Sequence, residues 1–479
     1  MSFRLFSAAI ALLPSLAFAE TGVVLSGEGG LVIEGDFRSF DGEFYRLDTA
    51  NGPITIAGTG LDCSGAACPA DLRLELALDP ADGALARLMT YLVQSYGAHL
   101  GADVREFHGA EGLRRIEIDP PEGPVSLAVD FEASAGAWQV LRRSGGQPGR
   151  DEIDTVLAFD AVVPAVSFDN PVTGLTLLAV EAAVAGEFPD WQGLGGASGV
   201  PVDVQWPEPL AASGASSSFQ PGESAVRHTT YSDAADAVAR NPGGLGPVPL
   251  SEIANAVPLV VTGPCGRGTL GMGDGVRSGD YPLSHLVVVR RDRTRLMPII
   301  RDFLDWSASP EAWPSVLDAG FLDLSVSVVN PVRDGRQEAL GADASSDVAA
   351  IEAAADAALD GLTRLNLAMR FESGTNSPDA AALFQIERLV TAIQSGDLAG
   401  KRLVFVGFSD ADGAQDTNAE LSERRAGIIR DAVLAELSQD AGAVAFEAIG
   451  LGEARPVACN GVTWGKGLNR RVEVWTPRR

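Results

Sequence analysis

The strongest constraint on this chain is an arginine that its own helix turns toward the core. Arg402-Leu-Val-Phe-Val-Gly407 is an apolar, β-branched and aromatic run of strand length. A turn follows, Gly407-Phe-Ser-Asp410-Ala-Asp-Gly413, and then Asn418-Ala-Glu-Leu421-Ser-Glu-Arg-Arg425-Ala426. Residues 420–437 have helical spacing, with Leu421, Ile428 and Ala432 on one narrow arc at about 100° per residue. Arg425 falls inside that arc, whereas Arg424 points further round. A guanidinium on a core-facing stripe cannot lose its charge, so it needs an anion or several acceptors. Asp410, at the end of the strand, is one candidate. Either the two close into an ion pair, or they share a zwitterionic guest.

These residues resemble the OmpA-like peptidoglycan-binding domain, with its glycine-hydrophobic-Thr/Ser-Asp turn and its leucine-serine-x-x-arginine-alanine helix. The resemblance runs from Met369-Arg-Phe-Glu-Ser-Gly-Thr375 through Gly450-Leu-Gly-Glu453-Ala-Arg-Pro456 to Asn469-Arg-Arg-Val-Glu473, with every block in order across residues 366–479. It implies that Asp410 and Arg425 clasp the diaminopimelate of the cell-wall stem peptide. The chemistry suits that ligand, since arginine takes a carboxylate bidentately and aspartate takes an ammonium. It also implies supporting roles for Asp379 before the first helix, Ser409 and Asn418 in the loop, and Arg470 on the last strand. Phe408 stands where His or Tyr is frequent and Ser409 where Thr is usual.

The other end of the chain reads as an export signal over residues 1–19. Arg4 precedes an apolar run from Leu5 to Leu13, and Ala17-Phe-Ala19 is a small-x-small cleavage site. That run is too short to span a bilayer, and no later stretch approaches 18 apolar residues without charge. No Cys follows the signal immediately, so a lipid anchor is not expected. The expectation is a periplasmic protein, associated with the wall or the outer membrane, after cleavage near Ala19. The net charge of −28 argues against nucleic acid and against anionic membrane surfaces. Export permits disulfides. Cys63 and Cys68 flank a turn-like Ser-Gly-Ala-Ala that a bridge would close, whereas Cys265 and Cys459 either pair between domains or stay free. The four His are scattered without ligand spacing, so neither a metal nor a cofactor is expected.

The length suggests about three domains. Short alternating runs (Val23–Leu25, Leu31–Ile33, Glu43–Leu47, Ile54–Ile56) with Gly, Asp and Asn between them predict a small β module over 20–70. From residue 71 strands alternate with helices, the latter expected at 84–97, within 174–187 and at 295–306. This βα alternation implies a parallel sheet covered by helices. Asp160-Ala-Val-Val-Pro-Ala-Val-Ser-Phe-Asp-Asn170-Pro, Gly186-Glu-Phe-Pro-Asp-Trp191, Ser213-Gly214, Asn241-Pro-Gly-Gly-Leu-Gly246, Gly279-Asp-Tyr-Pro-Leu283 and Gly320-Phe-Leu322 resemble, in order, periplasmic phosphate-binding proteins of transporters. The resemblance implies a two-lobed solute-binding fold over 71–333, with lobe one 71–160 and 257–333 and lobe two 161–256.

In that family the cleft grips an oxyanion with hydroxyls and helix N-termini. The resemblance places Ser213, Gly214 and Ser216 at the start of one such helix, with Arg143 and Ser144 after a strand. The first loop departs: Asp79-Pro80-Ala81-Asp82-Gly83 adds carboxylates and removes a backbone donor, which opposes a divalent anion. Residues 334–365, rich in Ala and Asp, read as a linker ending in a helix, a tether that would let the last domain move independently. No Ser/His/Asp trio, carboxylate pair or P-loop stands out, so an enzyme is not expected. The fold class is multidomain α/β: a β module, a two-lobed α/β domain and an α+β OmpA-like domain. The function expected is non-covalent peptidoglycan binding; the alternative is a phosphate or other oxyanion receptor held at the wall.

Overall fold

The computed structural model describes residues 22–478 except 28–29, 41–43, 59–60, 69–70, 80, 109–113, 121–125, 133–137, 144–147, 213–218, 294–295, 331–335, 338–345, 373–374 and 438–443. The export signal, Ser144, Ser213, Gly214 and Ser216 therefore lie outside the described residues.

The first unit is one antiparallel sheet, in spatial order Gly52–Ala57, Phe44–Thr49, Leu31–Phe40, Gly22–Gly27, Leu61–Ser64. Alternation buries Val23, Leu25, Tyr45 and Leu47 on one face, as period-2 strands require. Cys63 and Cys68 are bridged across their turn.

The middle unit has two hydrophobic cores threaded by one continuous sheet. Glu152–Val166, fifteen residues long, crosses from one lobe to the other beside Ser284–Asp292. The helix Gly83–His99 buries Leu85, Leu88, Met89, Leu92 and Val93 against lobe one, beside the helix Pro298–Ser307. Two boundaries differ from expectation. Met297 precedes its helix because Pro298 takes the first helical position, where its missing N–H is not needed. The chain also does not return to lobe one at residue 257: Val260–Thr262 pairs with Gly174–Thr176, and Leu259, Val261 and Tyr281 join the core of lobe two. The crossing back is made by Ser284–Asp292.

The last unit is a four-stranded sheet ordered Leu362–Arg370, Arg471–Pro477, Arg402–Phe408, Ala445–Gly450, covered by helices Ala380–Gln394 and Gln415–Glu436. The long helix lies close on the sheet because two adjacent strands carry glycine there. A Cβ on Gly407 would stand 1.9 Å from the Ser422 carbonyl oxygen, and one on Gly450 2.5 Å from that of Ala419. The buried stripe of this helix is Asn418, Ser422, Arg425, Ala426, Ile429 and Val433. Arg425 is on it as expected, but Leu421, Ile428 and Ala432 are only half-buried, because close backbone contact favours the smaller side chains of Ser422 and Ala426.

The expected free tether is corrected by the docking of this unit on the two-lobed one. Asp280 is fully enclosed and accepts from Arg364 Nη2 at 2.6 Å and Arg370 Nη2 at 2.8 Å. Arg388 donates to the carbonyls of Leu324 and Ser325 at 3.0 and 2.6 Å and lies over the Phe159 ring. The backbone of Ser327–Val329 hydrogen-bonds along the edge strand at Arg364 and Asn366. Of the two alternatives for Cys265 and Cys459, the structure has the bridge, which joins the units across 194 positions. Helix Ser346–Leu359 buries Ala355 and Leu359, and its Glu352 and Asp356 hold Arg455 of the last unit.

Removing one partner from a buried charge cluster leaves the other charges uncompensated, which costs about 3–5 kcal/mol. Asp280→Ala is therefore expected to lower urea stability by that order, read as a shift of the unfolding midpoint of the whole chain.

Candidate functional site

The first candidate site lies where the strand Arg402–Phe408 ends beside the long helix. Arg425 is 4% exposed. Its Nη2 donates to the Thr375 carbonyl at 3.0 Å, and its guanidinium sits 5.0 Å from the centre of the Phe371 ring. Among the described residues, its buried Nε and Nη1 have no hydrogen-bond partner. Burial and the nearby Arg470 push the guanidinium pKa down, while Asp410 acts in the opposite direction. Arginine stays charged under such a shift.

Asp410 is buried and is not closed onto Arg425. Its Oδ2 accepts from Arg470 Nη1 at 2.6 Å and its Oδ1 from the Asp412 amide at 3.1 Å. Asn418 Nδ2 ties the Asp410 carbonyl (3.3 Å) to Glu453 Oε2 (2.9 Å). Ser409 donates its amide to the Gly452 carbonyl at 2.7 Å, and its buried hydroxyl has no partner among the described residues. Asp379 caps the helix Ala380–Gln394, accepting from the Ala382 amide at 2.7 Å, as an aspartate at that position does. Asp379 thereby fixes the end of the loop whose Thr375 carbonyl holds Arg425.

Arg425, Asp410, Ser409, Asn418 and Arg470 thus share one neighbourhood, with Asp379 shaping its rim. Three contributors are not singled out by sequence reasoning: the Phe371 ring, the Thr375 carbonyl, and Lys466, whose Nζ pairs with Asp412 at 2.7 Å. Phe371 and Thr375 stand inside the Met369–Thr375 block, but its aromatic and main-chain roles leave no mark on residue spacing. Chemically, the site offers a fixed carboxylate beside a desolvated guanidinium with two donors that meet no acceptor among the described residues.

The second candidate site is the cleft between the lobes, and here the chain meets its own donors. Arg142, 2% exposed at its side chain, pairs with Asp82 and donates from Nε to Asp160 at 3.1 Å and from Nη2 to the Ser251 hydroxyl at 2.9 Å. Ser251 donates in turn to Asp160 at 2.6 Å. At the N-terminus of helix Gly83–His99, Glu252 Oε1 accepts from the Ala84 amide at 2.5 Å and Asp82 Oδ1 from Leu85 at 3.1 Å. Arg87, from the same helix, donates to the Ser251 carbonyl across the lobes. Burial raises the Asp160 carboxyl, but the neighbouring His285, Arg142 and Ser251 outweigh it and hold its pKa well below the usual range. Arg143 points to the other face of its strand and pairs with Asp154 at 3.5 Å. Among the described residues, carboxylates thus fill the helix terminus and the cationic position that an incoming oxyanion would use.

No family model matches the chain. Over 68 residues, 14% of this chain and 19% of the relative, it is 45% identical to outer membrane porin F of Pseudomonas aeruginosa. The match therefore spans about a fifth of that relative's length. In structure it is similar to an ABC-type phosphate transport receptor from Vibrio cholerae, with TM-score 0.40, 14% identity, and 52% of this chain and 99% of that chain covered. It is likewise similar to the peptidoglycan-associated lipoprotein from Burkholderia pseudomallei, with TM-score 0.20, 21% identity, and 23% of this chain and 88% of that chain covered. No helix among the described residues is long and apolar enough to cross a membrane.

Calorimetric titration of the full chain with inorganic phosphate is expected to give no saturable heat, since among the described residues Arg142 and the N-terminus of the helix Gly83–His99 already hold carboxylates. For Asp160, a folded pKa below the unfolded one makes its stabilisation present above about pH 4 and lost as pH falls. Asp160→Asn is expected to flatten the acid limb of the stability profile, measured by urea unfolding between pH 3 and 7. The chain is similar to OmpA-related envelope proteins through its C-terminal unit and to phosphate-binding receptors through its middle.

Proposed function

We propose that this chain is an exported cell-envelope protein that holds peptidoglycan non-covalently through its C-terminal unit. The ligand group is the free amino-acid end of diaminopimelate in the stem peptide. Its carboxylate takes the two unbonded donors of Arg425, and its ammonium takes Asp410. The observation that supports this reading is the state of Arg425: buried, charged, and with Nε and Nη1 bonded to nothing among the described residues. A buried donor without a partner costs about 1–3 kcal/mol, more when charged, and a carboxylate guest removes that cost. The sequence match to the porin, which lies within the envelope class, supports the same reading.

The alternative, an oxyanion receptor localised at the wall, is disfavoured by the carboxylates that occupy its cleft. The two-lobed unit then serves as a docked scaffold beside the wall-binding site.

Arg425→Ala and Asp410→Ala are each expected to weaken co-sedimentation with diaminopimelate-type peptidoglycan by about tenfold or more, the worth of a charge-assisted hydrogen bond. Arg425→Ala should melt close to the parent chain, whereas Asp410→Ala should stay folded but melt lower, because Arg470 loses its carboxylate. Arg425→Lys should fail as well, because an ammonium lacks the bidentate fork. Undiminished sedimentation of both alanine variants would remove the site.

A further inference from the structure

The segment that follows the strand Ala445–Gly450 is tied to the wall site on one side and to the rest of the chain on the other. On the site side, the Gly452 carbonyl accepts from the Ser409 amide, and the Gly452 amide donates to Ser422 Oγ at 3.0 Å. Glu453 holds Asn418. Asn460, half-buried, offers one oxygen to two donors: its Oδ1 accepts from the Ala411 amide at 3.3 Å and from Asn469 Nδ2 at 2.9 Å. Ala411 follows Asp410 in the turn, and Asn469 precedes the Arg470 that pairs with Asp410. Asn469 is fully buried, and its side chain also binds the backbone of Val457 and Ala458. Asn460 therefore touches both supports of the Asp410 carboxylate, its own turn and the base of its arginine.

The same segment is held from outside the C-terminal unit. Cys459, next to Asn460, is bridged to Cys265 of the two-lobed unit. Arg267, close to that cysteine in the chain, donates from Nη1 to the Pro456 carbonyl at 3.2 Å. Packing here is tight, since a Cβ on Gly263 would stand 2.5 Å from Cys459 Sγ. Arg455 has a φ of 46°, a left-handed conformation that a residue with a Cβ keeps only where its surroundings fix it. Here they do. Glu352 of the helix Ser346–Leu359 accepts from its amide at 3.0 Å, Arg471 Nη2 donates to its carbonyl at 2.9 Å, and Asp356 pairs with its side chain.

We propose that Asn460 is a positioning residue of the wall site, and that the two-lobed unit, through the Cys265–Cys459 bridge, Arg267 and residues 451–460, sets where the Asp410 carboxylate stands. The inference rests on the peptidoglycan reading and adds to it the groups that keep Asp410 in register with Arg425. Those two side chains are not closed onto each other, so their spacing comes from what holds each of them. A ligand with two charges at a fixed separation binds tightly only where the opposing groups keep that separation in its absence. Arg425 is fixed by its helix, the Thr375 carbonyl and the Phe371 ring. Asn460 and the ties from outside the unit supply the matching restraint on Asp410.

The test is co-sedimentation of the full chain with diaminopimelate-type peptidoglycan, titrated to a dissociation constant at a temperature where circular dichroism shows each variant folded. Asn460→Ala is expected to weaken binding about fivefold, the worth of one neutral hydrogen bond. Asn460→Asp keeps an oxygen for both donors and should stay within about twofold of the parent, a rescue of affinity that a merely structural residue would have no call to give. The double variant Cys265→Ser with Cys459→Ser should weaken binding about fivefold, and Arg267→Ala, which leaves the bridge in place, about threefold. Arg425→Ala is the control on the site itself. Loss of binding in Arg425→Ala with full binding in Asn460→Ala, or in both the double serine variant and Arg267→Ala, overturns this inference and leaves the wall site standing. Equal loss in Asn460→Asp and Asn460→Ala overturns it as well. Full binding in Arg425→Ala would overturn the site and this inference with it.

Discussion

Buried guanidinium groups organise this protein. Arginine cannot discard its charge on leaving water, so each enclosed one dictates an anion or a set of carbonyls beside it. Arg142 is met by Asp82 and Asp160, Arg364 and Arg370 by Asp280, Arg471 by Glu473, and Arg388 by main-chain carbonyls. These pairings bridge the lobes, join the units and close the last strand. At Arg425 the described residues supply the Thr375 carbonyl and an aromatic face. The proposed site rests on the contrast between arginines paired with carboxylates and Arg425, which is not closed onto one.

The same physics gives the two modules different characters. In the cleft, Glu252 and Asp82 sit on a helix N-terminus that favours negative charge, and Asp160 takes the arginine behind it. Lobe-to-lobe bridging is thereby built from the chain itself. In the C-terminal unit, Asp410 is held by Arg470 and by local amides, which keeps it off Arg425. Docking through Asp280, Arg388 and the Cys265–Cys459 bridge fixes one module against the other and encloses a cavity at the seam.

Local features were the most legible. The strand and long helix around residue 410 follow from an apolar run, a glycine turn and 3.6-residue spacing. The glycines at 407 and 450 are required by the close approach of that helix, a reason visible only once strand and helix are packed. The stripe of the helix lay one position from the expected arc, with Ser422 and Ala426 where the glycines bring the backbones close and Ile429 and Val433 beyond. Cys63 and Cys68 are close in the chain, so local geometry suffices for them. Cys265 and Cys459 are not, and nothing in spacing selects a partner 194 positions away.

By itself the sequence determined the periodic elements, the glycine turn, the inward-facing Arg425 and the excess of carboxylates, because each is set by residues within a few turns of one another. Tertiary structure decided which carboxylate answers which arginine. Asp280 could have paired with any of many cations, and Glu252 lies 168 positions from the amide it caps. Charge attraction depends on separation in space and on the surrounding dielectric, and is blind to sequence distance. Only the packed chain therefore settles which guanidiniums are satisfied and which is left with donors to spare.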